Sequence, residues 1–115
     1  MPDSLHDIKK HIDINCDMGE GFHNEGELMP FISSANIACG FHAGDEDSIK
    51  RTIDLALEHN VAIGVHPSYD DRINFGRQSH FVSLLELAEL ISDQLYLFEK
   101  VVIPMGLSLH HVKLH

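Results

Sequence analysis

Four times along the chain an apolar run, alternating or continuous, breaks off into a loop that carries reactive side chains. In His11–Cys16, apolar Ile12, Ile14 and Cys16 alternate with polar Asp13 and Asn15, which predicts a strand ending in Asp17-Met18-Gly19-Glu20-Gly21. The run Ala35–Cys39 predicts a second, buried strand, ended by Gly40 and followed by His42, Gly44 and Asp45. Val61–Val65 predicts a third, ended by His66 and Pro67, and Leu107–His115 a fourth. Helical spacing fills the gaps. A short helix is expected from about Glu25 to Ile32, limited by Pro30. Asp45 or Asp47 caps a second, running to about Glu58, with Ile49, Ile53, Ala56 and Leu57 on one face. The clearest element opens with a Ser83/Glu86 capping box. Its stripe of Leu84, Leu87, Ala88, Ile91, Leu95, Phe98 and Val102 reaches about Ile103, where Pro104 and Gly106 stop it.

Strands joined through helices predict an α/β fold with a parallel sheet of right-handed βαβ units. Such sheets build their sites at the carboxyl ends of the strands. There the sequence places Asp17 and Glu20, then His42 and Asp45, then His66, then Lys113 and His115. Alternation adds a separate argument. One face collects Asp13, Asn15 and Asp17; Ser34, Asn36 and Ala38; Ala62, Gly64 and His66; and His111, Lys113 and His115, while the other is mostly Ile, Val, Leu and Cys. With helices over the apolar face, the small polar face predicts a reactive cavity in a barrel interior or cleft.

Composition narrows the function classes. At 115 residues and 43% hydrophobic content, residues 1–115 are expected to form one domain, with residues 1–10 as a polar, mobile lead-in. Eighteen acidic residues against eight basic ones give a formal charge of -10, which disfavours nucleic acid and anionic membrane as partners. No window has signal-peptide or membrane-span character, so a cytoplasmic location is expected. Cys16 and Cys39 suit neither a disulfide scaffold nor a zinc ribbon, and both are expected to be reduced. The ten histidines are scattered and have to be weighed singly.

The stretches IDINCDMGEGF, SSANIACGFHAGD, VAIGVHPSYDDRINFGR and LHHVKLH, taken together from about Ile12 to His115, resemble the LamB/YcsF family. The resemblance implies a parallel βα barrel of the TIM-like, glycoside hydrolase/deacetylase type, of which this chain covers roughly the N-terminal half. It also implies the role of the A subunit in an ATP-dependent 5-oxoprolinase, which hydrolyses the lactam of 5-oxoproline to L-glutamate. ATP would be a co-substrate handled through partner subunits B and C, consistent with the lack of a G-x-x-x-x-G-K-[ST] phosphate loop here. Family members continue past the fourth strand with a Pro-His-Gly-Ala-Leu-Tyr-Asn type motif, whereas Leu114 stands at the proline position. An open fourth edge predicts self-association, or else an inactive truncated fragment.

Lactam hydrolysis needs a general base beside a water and a cation or donor for the developing oxyanion. Asp17 is the expected base. His42 and His66 are candidates for proton transfer or, with Asp17, for a one-carboxylate, two-histidine site for a divalent metal. Lys113 suits an oxyanion or a phosphorylated intermediate, and His115 is a further catalytic candidate. Asn15, Glu20, Asn36 and Asp45 read as substrate-positioning groups, Asp45 alternatively as a helix cap alone. Arg77 in the long loop after the third strand is suited to clamp a substrate carboxylate. His111 and His115 would lie ~13 Å apart on a strand, too far to share a metal. Two other enzyme readings stay open: a metal-dependent carbohydrate or amide deacetylase, and a thiol hydrolase using Cys39 with His42.

Overall fold

The computed structural model describes residues 11–115, so the expected lead-in at residues 1–10 lies outside the described residues. Strands β1 (Asn15–Met18), β2 (Ser34–Ala38), β3 (Ala62–His66) and β4 (His111–Val112) alternate with helices α1 (Glu25–Leu28), α2 (Glu46–Glu58) and α3 (Leu84–Val102). All pairings are parallel, and the strands lie in the order β1-β2-β3-β4. A doubly wound sheet reverses its strand order at a switch point, whereas this one advances one strand at a time, as the wall of a βα barrel does.

The sheet is also curled. Lys113, just past β4, reaches Asp17 on β1 with an Nζ–Oδ1 separation of 2.9 Å. Three strand spacings on a flat sheet would be ~14 Å, beyond the span of these two side chains. Curvature therefore brings the first and fourth strands together over the polar face. Small residues make room there: a side chain at Gly64 would overlap the His111 ring.

The apolar face is covered by helices. Met18, Ala35, Ile37, Ile63 and Val65 form one buried core with Ile49, Ile53 and Ala56 of α2 and Phe98, Val101 and Val102 of α3. Both long helices start as their capping chemistry predicts: Asp45 and Ser48 make a reciprocal capping box, as do Ser83 and Glu86. Asp45 holds its carboxyl below the usual range because the Ser48 backbone N–H donates to it.

Local boundaries differ from the pattern-based expectation. Alternation puts the first strand at His11–Cys16, but the register Asn15↔Ser34 to Met18↔Ile37 shifts it later. Ile12 and Ile14 are consequently exposed, and Asp17 lies within the strand. The helix expected at Glu25–Ile32 ends after one turn and passes into a 3-10 turn, Met29–Phe31, around Pro30, whose ring forbids the next helical hydrogen bond. The α3 stripe is buried only in its second half; Leu84 and Ala88 are exposed. The fourth strand contracts to His111–Val112, paired with β3 through Gly64↔His111 and Val65↔Val112. Single hydrogen bonds still extend that pairing, from His110 N–H to Ile63, Lys113 N–H to Val65 and His115 N–H to Pro67.

Candidate functional site

Reactive side chains converge on the polar face and at the carboxyl ends of the strands. This face is not a solvated surface: Ser34, Asn36 and His66 are each at most 1% exposed. A buried polar group is costly unless paired, and here the pairing is dense. The Asn36 amide nitrogen donates to Asn15 Oδ1 and Asp17 Oδ1, both at 3.0 Å, and its oxygen accepts from His111 Nε2 at 2.5 Å. Burial alone would raise the Asp17 carboxyl, but hydrogen bonds from Lys113 and Asn36 outweigh it and hold the group below the usual carboxylate range. Asp17 is thus an ionised carboxylate paired with a lysine at neutral pH.

Beside this pair lies a second group, drawn from four successive strand ends. Glu20 follows β1, His42 follows β2, His66 ends β3 and His115 follows β4. His42 Nε2 is 2.5 Å from Glu20 Oε2, His66 Nε2 is 3.1 Å from His115 Nδ1, and His66 Nε2 is 3.5 Å from Asp17 Oδ2. His42 and His115 stack with ring centroids 4.0 Å apart. Burial lowers the His66 pKa, against the opposing pull of the Lys113 carbonyl and the nearby carboxylates. The four donor atoms of Glu20, His42, His66 and His115 lie within 4.8 Å of one another, a set with the composition of a metal site.

This revises the metal candidates Asp17, His42 and His66. Curvature and the turn after β1 place Glu20, not Asp17, among the imidazoles, and His115 joins as the third histidine. Asp17 borders the cluster through His66 and faces Lys113. Asp45 stays apart: its side chain is engaged at the N-terminus of α2, which leaves its expected substrate contact without a place at this site. Arg77 is exposed, its guanidinium 5.4 Å from the Phe75 ring centroid, and it lines an open cleft of about 510 Å³ with Asp17, His66, Lys113 and His115. A neighbouring cleft of about 480 Å³ is lined by Asn15, Asp17, Phe22 and Lys113, so the Asp17–Lys113 pair stands between the two. Burial pushes the Cys39 thiol up to about 12. That removes the thiolate a Cys39–His42 hydrolase would need.

Several residues that build the site carry no clear mark in the sequence pattern. Glu25 accepts hydrogen bonds from the backbone N–H groups of Gly19 and Glu20, at 2.8 and 3.1 Å, and so shapes the turn that presents Glu20. Gln94, fully buried on α3, donates to the Ser68 carbonyl and accepts from the Ser68 N–H, both at 2.8 Å, anchoring the chain just past His66. A lone amide within an apolar stripe is the available signal. Phe75 packs edge-on against His42 and His115 and accepts a 2.7 Å hydrogen bond from His115 Nε2 through its carbonyl. Nothing in its sequence context marks that contact. Next to it, Gly76 has φ +67°, and a Cβ there would lie 2.9 Å from His42 Cβ, so the loop can close on the cluster only with glycine at this position.

Comparison with known proteins agrees with this architecture. The profile of the LamB/YcsF family matches residues 12–115. The A subunit of 5-oxoprolinase from Bacillus cereus is 46% identical over 111 residues, covering 92% of this chain and 44% of the relative. That of Bacillus mycoides is 45% identical over 109 residues, covering 90% of this chain and 43% of the relative. Among solved structures, the lactam utilization protein from Thermus thermophilus superposes with a TM-score of 0.88 at 37% identity, covering 92% of this chain and 45% of that one. The chain thus spans less than half the length of the relatives it matches.

Proposed function

This chain belongs to the LamB/YcsF family, and from that premise we propose that it contributes the hydrolytic site of an ATP-dependent 5-oxoprolinase. In this reading it opens the lactam of 5-oxoproline to L-glutamate in the cytoplasm, with ATP handled through partner subunits B and C. The observation that carries the reading is the Asp17–Lys113 pair at 2.9 Å, standing between two open clefts.

Asp17 accepts a proton from the attacking water, whose oxygen bonds to the lactam carbonyl carbon. Lys113 stabilises the oxyanion that forms on the carbonyl oxygen. The carbon–nitrogen bond then breaks, and the proton held by Asp17 returns to the departing nitrogen. Asn36 and Asn15 keep the Asp17 carboxylate oriented, and Arg77 meets the substrate carboxylate at the cleft wall. His42, His66, His115 and Glu20 close the inner end of the site.

The test is ATP-dependent release of glutamate from 5-oxoproline when this chain is mixed with subunits B and C. Release that disappears without this chain, and falls steeply in Asp17→Asn, is the expected result. Unchanged release with Asp17→Asn would overturn the assignment. A second reading, a metal-dependent carbohydrate or amide deacetylase, draws on the histidine–glutamate cluster. ATP-independent, chelator-sensitive release of acetate from an N-acetylated substrate would favour it.

A further inference from the structure

We propose that Glu20, His42, His66 and His115 form a binding site for one divalent transition-metal ion of the zinc class. The argument starts from proton positions. His66 Nδ1 lies 2.7 Å from the Lys113 carbonyl, and His115 Nε2 lies 2.7 Å from the Phe75 carbonyl. A carbonyl has no proton to give, so in each ring that nitrogen is the N–H donor. In the neutral rings, the other two nitrogens, His66 Nε2 and His115 Nδ1, are then bare lone pairs, and they face each other at 3.1 Å. Two lone pairs repel; something positive belongs between them.

The surroundings fit a metal ion. Glu20 Oε2 lies 3.8 Å from His66 Nε2 and 3.8 Å from His115 Nδ1, and 2.5 Å from His42 Nε2. Around a tetrahedral ion with bonds of ~2.0–2.1 Å, ligand atoms sit ~3.3 Å apart, within the spread seen here. Three imidazoles and a carboxylate suit zinc-class ions, whereas magnesium and calcium favour all-oxygen sets. Backbone carbonyls holding the far nitrogens of His66 and His115 are the outer partners that fix ligating histidines. His42 is fully buried, and its Nδ1 has no partner among the described residues, so the directed contact of that ring runs through Nε2 into the cluster.

Binding of the ion does not depend on the 5-oxoprolinase reading. Its catalytic use does: the ion would sit next to Asp17, where it can polarise the water that Asp17 deprotonates. A test that reads binding alone separates the two. The chelator-stripped chain is titrated with Co2+ and then Zn2+, without substrate or other subunits, while bound metal and the visible Co2+ spectrum are recorded. One Co2+ per chain is expected, with the intense bands of tetrahedral coordination, displaced by Zn2+. His66→Asn and His115→Asn, checked for folding by circular dichroism, should each weaken binding by at least about 100-fold. His59→Asn and His110→Asn, outside the cluster, should leave it unchanged. Should the cluster variants fail to fold, the melting temperature of the unsubstituted chain decides: Zn2+ should raise it and Mg2+ should not. A folded chain that binds no Co2+, is not stabilised by Zn2+, or keeps its affinity in folded His66→Asn and His115→Asn would overturn the proposal. In that outcome a shared proton, rather than a metal, holds the ring pair.

Discussion

The two faces of the sheet are built from the same short strands, yet they differ in almost every physical respect. β2 and β3 turn Ala35, Ile37, Ile63 and Val65 towards the helices, where contacts are apolar and non-directional. The intervening Asn36, Gly64 and His66 point the other way, into a network of directed hydrogen bonds in which Asn36 and His66 each have particular partners. Both faces are buried, but the first is held by area and the second by geometry. The first face should therefore tolerate changes of shape at a cost in stability, whereas the second should lose chemistry after changes of one atom.

The largest test falls on the apolar side. Phe98→Ala removes a fully buried ring from the joint of α3 with the sheet and should cost about 3–5 kcal/mol in urea unfolding. A loss below about 1 kcal/mol would undo the contrast, because area would then not be what holds that face. Asp17→Asn is its counterpart: nearly isosteric, and expected to lower ATP-dependent glutamate release by at least about 100-fold. Its melting temperature should move far less than that of Phe98→Ala. If the two readouts moved together, the faces would not be separable.

Gln94→Ala probes the boundary, because the residue sits on the apolar stripe but serves the loop after His66. Stranding the Ser68 N–H and carbonyl should cost about 2 kcal/mol, and a Leu replacement, which restores apolar volume but not the hydrogen bonds, should not rescue it. Gly76→Ala should cost about 1–2 kcal/mol for the left-handed backbone and displace the Phe75 carbonyl from His115. The smallest effect concerns Cys39. With its pKa pushed up to about 12, alkylation by iodoacetamide should stay slow in the folded chain and keep rising as pH climbs towards that value. In urea it should level off near the ordinary thiol value of ~8.5. A plateau near that value in the folded protein would mean that the face around Cys39 is not sealed.

Alternation, caps and turn residues are enough to read the order of strands and helices, the division of residues between the two faces, and the carboxyl-end location of the chemistry. These are local properties: a period of two, a capping box at Ser83 and Glu86, and a proline that stops a helix are set by neighbours along the chain. The strand register, which shifts β1 to Asn15–Met18 and leaves Ile12 and Ile14 exposed, depends on a partner strand instead. So does the curl that puts Lys113 on Asp17. The replacement of Asp17 by Glu20 and His115 in the histidine cluster, and the closure of Phe75 and Gly76 over it, likewise follow from loops of different βα units meeting in space. No spacing in the sequence encodes those distances, because they are fixed by how far the sheet bends and how deeply the loops pack. Patterning along the chain settles which side chains face the site; the bend of the sheet and the packing of its loops settle which of them touch.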